Sequence, residues 1–429
     1  MGKFIKFGKY NKLYKYVWIY ILICLVNQYL FEYSFPDEFK FDLIRSQNYP
    51  NSIFIQELFN HIGTFIYSFI LYKYEMFQNK KENNDSSIPI LVSKKTSLIY
   101  NDYEQLKITD LKLYIEVIIL LIICNELIVV LYVIGLNEFE YWAFEILFIS
   151  FISSIMFKKE IYIHQKISIY FIIISCSFII FLSNIFELKD DSRMIYKEYI
   201  WLIPIGIIIF ILNSFLRAYI YCKLKWLLEY KYMSLSKFLI WYGLISSLIY
   251  LLASIISSNI KCVDKNIFED IDLICYVKIT DDNNSTLYYF DTFSNYFSQL
   301  WRNNRSALLN FVYIFLIFIK TIIYFFTKLF FLLIIKKLNP VFFICTNSIF
   351  FFILELVDCI NTLIILKEEY NYFGILAEFF NILGTLYYLE IFEFECCGLN
   401  YNFKNNIEKR SQDDYLESNN KFIENNGTY

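Results

Sequence analysis

Apolar residues in this chain come in long unbroken runs, not in the one-sided stripe of a surface helix. Residues 111–185 hold three of these runs, 111–134, 142–157 and 167–185, separated by short polar turns. Each is about long enough to cross a hydrocarbon core as a helix rising roughly 1.5 Å per residue. The turn Asn137-Glu138-Phe139-Glu140 is acidic, and the turn at 158–166 is basic. Basic turns stay in the cytosol more often than acidic ones, so the three runs also carry a direction.

The same reading extends along the chain. Runs at 16–30 and 53–72 precede this stretch, and runs at 200–216, 238–257, 308–335, 341–366 and 373–391 follow it. The pattern predicts an all-α polytopic membrane protein of about ten transmembrane helices. Basic loops at 73–110, 158–166 and 217–237, together with Lys336 and Lys337, alternate with more acidic ones. This alternation puts both termini in the cytosol and residues 258–307 on the lumenal side. The segment 73–110 reads as a disordered cytosolic loop, and His164 in its basic turn reads as solvated.

Composition agrees with this class. The chain is 57% hydrophobic and only 19% charged, whereas a soluble domain carries about 25% charged residues. Its net charge is −3, and no basic patch is laid out for a nucleic-acid partner. The partners expected are the lipid bilayer and a small molecule, in an endomembrane or the plasma membrane. Aromatic residues reach 21% in a chain dominated by Ile, Asn, Lys, Tyr and Phe, so an individual Tyr or Phe says little.

Most of the 10 cysteines, such as Cys24, Cys124, Cys176, Cys345 and Cys359, fall inside apolar runs and read as small buried hydrophobes. No C-x-x-C pair suggests a metal site, and no cofactor is expected. Cys262 and Cys275 share the lumenal loop, where a disulfide and two free thiols are both open. That loop also holds the glycosylation acceptor patterns at Asn283, Asn284 and Asn304. Cys396 and Cys397 follow the last run closely, where S-palmitoylation and plain membrane-interface cysteines are both open.

Five runs precede residue 186 and five follow residue 199. An odd number of helices per half sets the halves in opposite orientations, as in inverted-repeat carriers. The layout divides the chain into a first half (1–185), a second half (186–394) carrying the lumenal loop, and a cytosolic tail (395–429). Three local features add to it: a short hairpin at 142–185 turning at Phe157-Lys158-Lys159-Glu160, the turn Leu338-Asn339-Pro340, and Gly374 and Gly384 on a short last helix ending near Tyr387-Tyr388. In these respects the chain resembles the drug/metabolite transporter superfamily. The resemblance implies a 5+5 inverted-repeat fold and transport of a small metabolite.

Ionisable groups inside hydrocarbon are costly and need a reason. The candidates are Glu116, Glu126, Glu145, Lys320, Glu355, Asp358 and Glu378, with Asn125, Asn213, Asn361 and Asn381 as uncharged companions. Glu355 and Asp358 are three apart and share a helix face. As substrate-binding candidates we take Lys320, Glu126, Asn125, Glu145, Glu355, Asp358 and His61. Lys320 would attract an anionic group or pair with a carboxylate, and a buried carboxylate can carry a coupling proton. The bland alternative is interhelical glue by permanent ion pairs.

Function therefore reads as a secondary carrier of a small polar or anionic metabolite, not an enzyme. Two alternatives stand beside it: a membrane-embedded acyltransferase using Asn60-His61, and a structural membrane protein without a cavity. No clustered histidines, H-E-x-x-H run or P-loop occurs, which excludes an ATP-driven pump of the P-loop kind within this chain.

Overall fold

The computed structural model describes residues 14–28, 53–85, 108–133, 141–158, 161–187, 202–231, 233–257, 277–280, 286–289, 307–360 and 372–391, with single residues at 293, 297 and 363. Among them are ten α-helices: α1 (Tyr14–Gln28), α2 (Ile53–Asp85), α3 (Ile108–Val133), α4 (Tyr141–Phe157), α5 (Ile163–Glu187), α6 (Leu202–Lys225), α7 (Leu235–Ser257), α8 (Ala307–Lys337), α9 (Pro340–Ile360) and α10 (Phe373–Tyr388). Each apolar run has its helix, in order. Three are long and apolar enough to cross a membrane, over Leu235–Ile256, Asn310–Lys337 and Pro340–Val357. Shorter apolar helices cover Tyr14–Asn27, Phe144–Phe157, Ile163–Ser175 and Ile375–Tyr388.

Large apolar side chains stand exposed on the helix surfaces. They include Leu248, Leu252 and Ile256 of α7, Phe311, Phe315 and Phe318 of α8, and Tyr170, Ile174 and Phe178 of α5. Contiguous apolar faces of this kind are costly in water and favourable against lipid.

The structure differs from the sequence reading at several places. Helix α2 runs on to Asp85, so the first part of the 73–110 segment is helical; residues 86–107 lie outside the described residues. Helix α6 passes through Arg217 to Lys225 and ends in one π-helical turn, Trp226–Tyr230. A charged residue can continue a helix when a partner is in reach, which a hydropathy window cannot see. Within 258–307 two strands, β1 (Val277–Thr280) and β2 (Thr286–Tyr289), pair antiparallel with Val277 opposite Tyr289 and Thr280 opposite Thr286. This hairpin is the one non-helical element among the described residues. Its alternating pattern is too short to register beside the apolar runs.

The chain forms two compact units. One comprises residues 1–21, 138–222 and 337–429, and the other residues 22–137 and 223–336. The first therefore holds α4, α5, α9, α10 and most of α6, and the second holds α2, α3, α7 and α8. The boundary falls within α1 and α6.

In the first unit α5 packs along α10, and α9 meets both α10 and α4. A Cβ on Gly384 of α10 would come within 2.2 Å of Ile172 Cγ1, so only glycine allows this approach. The Ser168 hydroxyl donates to the Gly384 carbonyl at the same crossing, and Ser150 Oγ lies 3.0 Å from Tyr388 Oη. The turn between α8 and α9 is capped by Asn339, whose Oδ1 accepts from the amides of Val341 (2.7 Å) and Phe342 (3.1 Å). Pro340 occupies the first helical position, where its missing N–H costs nothing.

In the second unit the dominant pairing is α2 against α7, with α3 packed on α7 as well. A Cβ on Gly243 would meet the backbone nitrogen of Phe65 at 2.5 Å, and one on Gly63 would meet Thr321 Cβ at 2.8 Å. These two glycines bring α2 close to both α7 and α8. The interior between them is filled by Ile55, Leu58, Val117, Ile118, Phe238 and Leu239.

Candidate functional site

The second unit contains a buried polar cluster around His61. Its ring is fully buried on α2 and is enclosed by three tyrosines. Tyr250 of α7 stacks on it at 5.1 Å between centroids. Tyr242 of α7 and Tyr324 of α8 meet it edge-on, at 5.0 and 5.4 Å. Gly63 and Gly243 stand beside His61 and Tyr242 in sequence. The close helix approach and the assembly of this cluster therefore have a common cause.

The cluster's polar contacts meet the ring at Nε2. His61 Nε2 lies 3.6 Å from a carboxylate oxygen of Glu57, one helical turn earlier, and 3.4 Å from the Tyr324 hydroxyl. Among the described residues the imidazole Nδ1 has no hydrogen-bond partner. Asn60 Nδ2 donates to Glu57 Oε1 at 3.3 Å, and the Tyr324 and Tyr242 hydroxyls are 3.4 Å apart. The Tyr250 hydroxyl donates to Glu126 of α3 at 2.8 Å.

Positive charge comes from α8. Lys328 lies over the rings of Tyr324 (5.0 Å) and Tyr242 (5.9 Å). Lys328 and Lys320 both attract the Glu57 carboxylate electrostatically, while Glu126 repels it. Lys320, Tyr324 and Lys328 are spaced four residues apart and form one stripe of the helix. Two half-buried carboxylates and two half-buried ammonium groups thus surround one fully buried imidazole, a setting where charges interact more strongly than in water.

The candidates named from the sequence fall in different places. His61, Glu126 and Lys320 converge on this cluster, with Asn125 beside Glu126 and half-buried. Glu145 lies in the first unit, fully buried on α4, and pairs with Arg217 Nε of α6 at 2.9 Å. Arg217 also donates from Nε and Nη2 to the Tyr221 hydroxyl, at 3.2 and 3.0 Å. Asn213, one turn before Arg217, is fully buried, and among the described residues neither of its amide atoms has a hydrogen-bond partner.

Glu355 is half-buried on α9, close enough to repel Glu378 of α10. Glu378 hydrogen-bonds with Ser348 and Asn381. Asp358 lies on α9, but its side chain is outside the described residues. Outside them too are Asn361, Cys262, Cys275, Cys396, Cys397, Asn283, Asn284 and Asn304. Glu116 pairs with Lys223 at 3.8 Å.

His164 is corrected by the structure. It is buried, with Nε2 3.2 Å from Glu390, between the rings of Tyr162 and Tyr387. The last residues of α10 cover it, a long-range contact that its basic neighbours in sequence do not announce.

Sequence reasoning passed over Glu57, Arg217, Lys328 and the three tyrosines as site residues. Two signals were present: Glu57 four residues before His61 on one face, and the Lys320–Tyr324–Lys328 stripe. The tyrosines could not be singled out in a chain with 38 of them. Among the described residues no group of three or more His, Cys, Asp or Glu could hold a metal ion. No family model matches the chain, and no curated protein matches its sequence.

Proposed function

We propose that the protein is a ten-pass secondary carrier of a small polar or anionic metabolite, with both termini cytosolic. The observation that carries this reading is the His61 cluster. Nothing in helix packing requires two half-buried lysines and two half-buried glutamates around a buried histidine, and ionisable groups are expensive within a membrane. Lys320 and Lys328 offer an anion two positive charges, and Glu57 holds that place when no anion is bound. An anion that displaces Glu57 leaves a carboxylate to be neutralised, and His61 Nε2 at 3.6 Å is within reach to share a proton with it. Proton coupling follows naturally from that exchange.

The make-up of the two units supports the 5+5 repeat. One takes α2 and α3 with α7 and α8, and the other takes α4 and α5 with α9 and α10. Each helix thus shares a unit with the helix five places later in the chain. The boundary also falls within α1 and α6, which are five apart. A pseudo-symmetric repeat groups counterpart helices in this way.

One observation favours a second reading. His61 against Glu57 is the pairing by which a carboxylate orients a general base, as a membrane-embedded acyltransferase would need. Its Nε2, however, faces Glu57 and Tyr324 inside the bundle.

Reconstitution decides between them. Purified protein in liposomes is loaded with a panel of unlabelled metabolites and assayed for exchange against the labelled compounds. Exchange that depends on the protein supports the carrier. Acyl transfer to an acceptor without exchange supports the enzyme.

A further inference from the structure

One end of the second unit carries lysines laid over aromatic rings. Lys223 and Lys231, which precede and follow the π-helical turn in the chain, lie over the same ring, that of Trp226, at 5.4 and 5.3 Å. Lys237, near the start of α7, lies 5.9 Å from the Tyr72 ring of α2. Ser236 donates to Glu75 at 2.6 Å, which fixes this stretch of α2 level with the start of α7. Lys225 donates to the Lys336 carbonyl at 3.0 Å, which ties the end of α6 to the end of α8. The ends of α6 and α8, the start of α7 and the Tyr72–Glu75 stretch of α2 therefore contribute to this basic, aromatic rim.

Three carboxylates, Glu75, Glu116 and Glu229, stand among the four lysines Lys223, Lys225, Lys231 and Lys237. Glu229 is taken by Lys225 at 2.7 Å, and Glu116 lies 3.8 Å from Lys223. Lys231 is exposed. A Trp ring with two ammonium groups against it belongs where hydrocarbon meets water: Trp favours the headgroup level and lysines reach past it. The anion available there in quantity is a lipid phosphate or carboxylate, and each basic residue near such a surface adds about 1 kcal/mol.

We propose that the rim formed by Lys223, Trp226, Lys231 and Lys237 binds the headgroup of an anionic phospholipid. The π-helical turn is the device that makes the site. It lets Leu227 and Leu228 turn inward, where both are buried, while Trp226 and Lys231 stay at the rim. Such single π-turns often mark functional positions. The loop charges assign this end of the unit to the cytosol, where anionic lipid is concentrated.

The test uses the full chain in nanodiscs of phosphatidylcholine alone and of phosphatidylcholine mixed with phosphatidylserine. The protein should melt at a higher temperature in the mixed discs, and the increment should shrink as salt is raised. Lys231→Gln should remove part of the increment, and Lys223→Gln/Lys231→Gln nearly all of it. Melting of Lys231→Gln in pure phosphatidylcholine should match that of the wild type, because Lys231 is exposed. Native mass spectrometry should read about fivefold weaker phosphatidylserine binding per lysine removed. Lys231→Arg should keep the increment.

Equal melting of the wild type in both discs would overturn the proposal, as would an increment that survives the double change. Inorganic phosphate added to phosphatidylcholine discs should not reproduce it; if it does, the rim is an anion site and not a lipid site. Should the double variant fail to fold, the exposed Lys231 carries the test alone.

Discussion

Arg217 of α6 meets Glu145 of α4 at 2.9 Å, with the carboxylate fully buried. The hydropathy pattern ends the sixth apolar run one residue before Arg217, yet the helix continues because this partner waits across it. Removing one member of a buried pair strands the other, at a cost of about 3–5 kcal/mol, whereas replacing both with apolar residues is often neutral. Arg217→Ala should therefore lower the detergent melting temperature sharply. The double change Glu145→Leu/Arg217→Met should recover most of the loss. Equal melting of Arg217→Ala and wild type would contradict the pairing.

Gly243 is placed so that a methyl group would strike the Phe65 backbone nitrogen at 2.5 Å. Backbone cannot swing aside as a side chain can, so Gly243→Ala must push α7 away from α2. Overpacking of this kind costs about 1–3 kcal/mol. The same displacement moves Tyr242 and Tyr250 from the His61 ring, so activity should fall further than stability. Thermal unfolding and exchange assays on one preparation check both expectations.

Lys320 separates transport from glue. If it binds the transported anion, Lys320→Ala abolishes exchange and leaves melting within about 1 kcal/mol of wild type, because Lys328 still faces Glu57. If it only balances Glu57, the change destabilises by stranding a buried carboxylate. Uptake and melting measured on the same variant distinguish the outcomes, and unimpaired exchange would remove Lys320 from the site.

Topology is testable without a substrate. In sealed vesicles with the cytosolic face outward, protease should cut the 395–429 tail and leave the 258–307 segment intact. Glycan removal should shift the mobility of the wild type and not of a variant lacking Asn283, Asn284 and Asn304. Cleavage of 258–307 from the cytosolic face would reverse the assigned orientation.

The apolar runs by themselves determined the number, order and approximate span of the helices. Helix formation in apolar surroundings is local: a run without Pro or charge has no other way to satisfy its backbone. The runs of α3, α4, α7, α8 and α10 hold no Pro and few charges, and these helices begin and end within three residues of their runs. Everything that depends on which helix meets which was decided by tertiary structure. Glu57 and His61 are a visible pair on one helix, but Tyr242, Tyr324 and Lys328 reach them only because Gly63 and Gly243 let α2 close on α7 and α8. Arg217 looks like the start of a loop until Glu145 faces it, and His164 looks solvated until Glu390 and Tyr387 cover it. These contacts join residues far apart in the chain, and hydropathy carries no record of them.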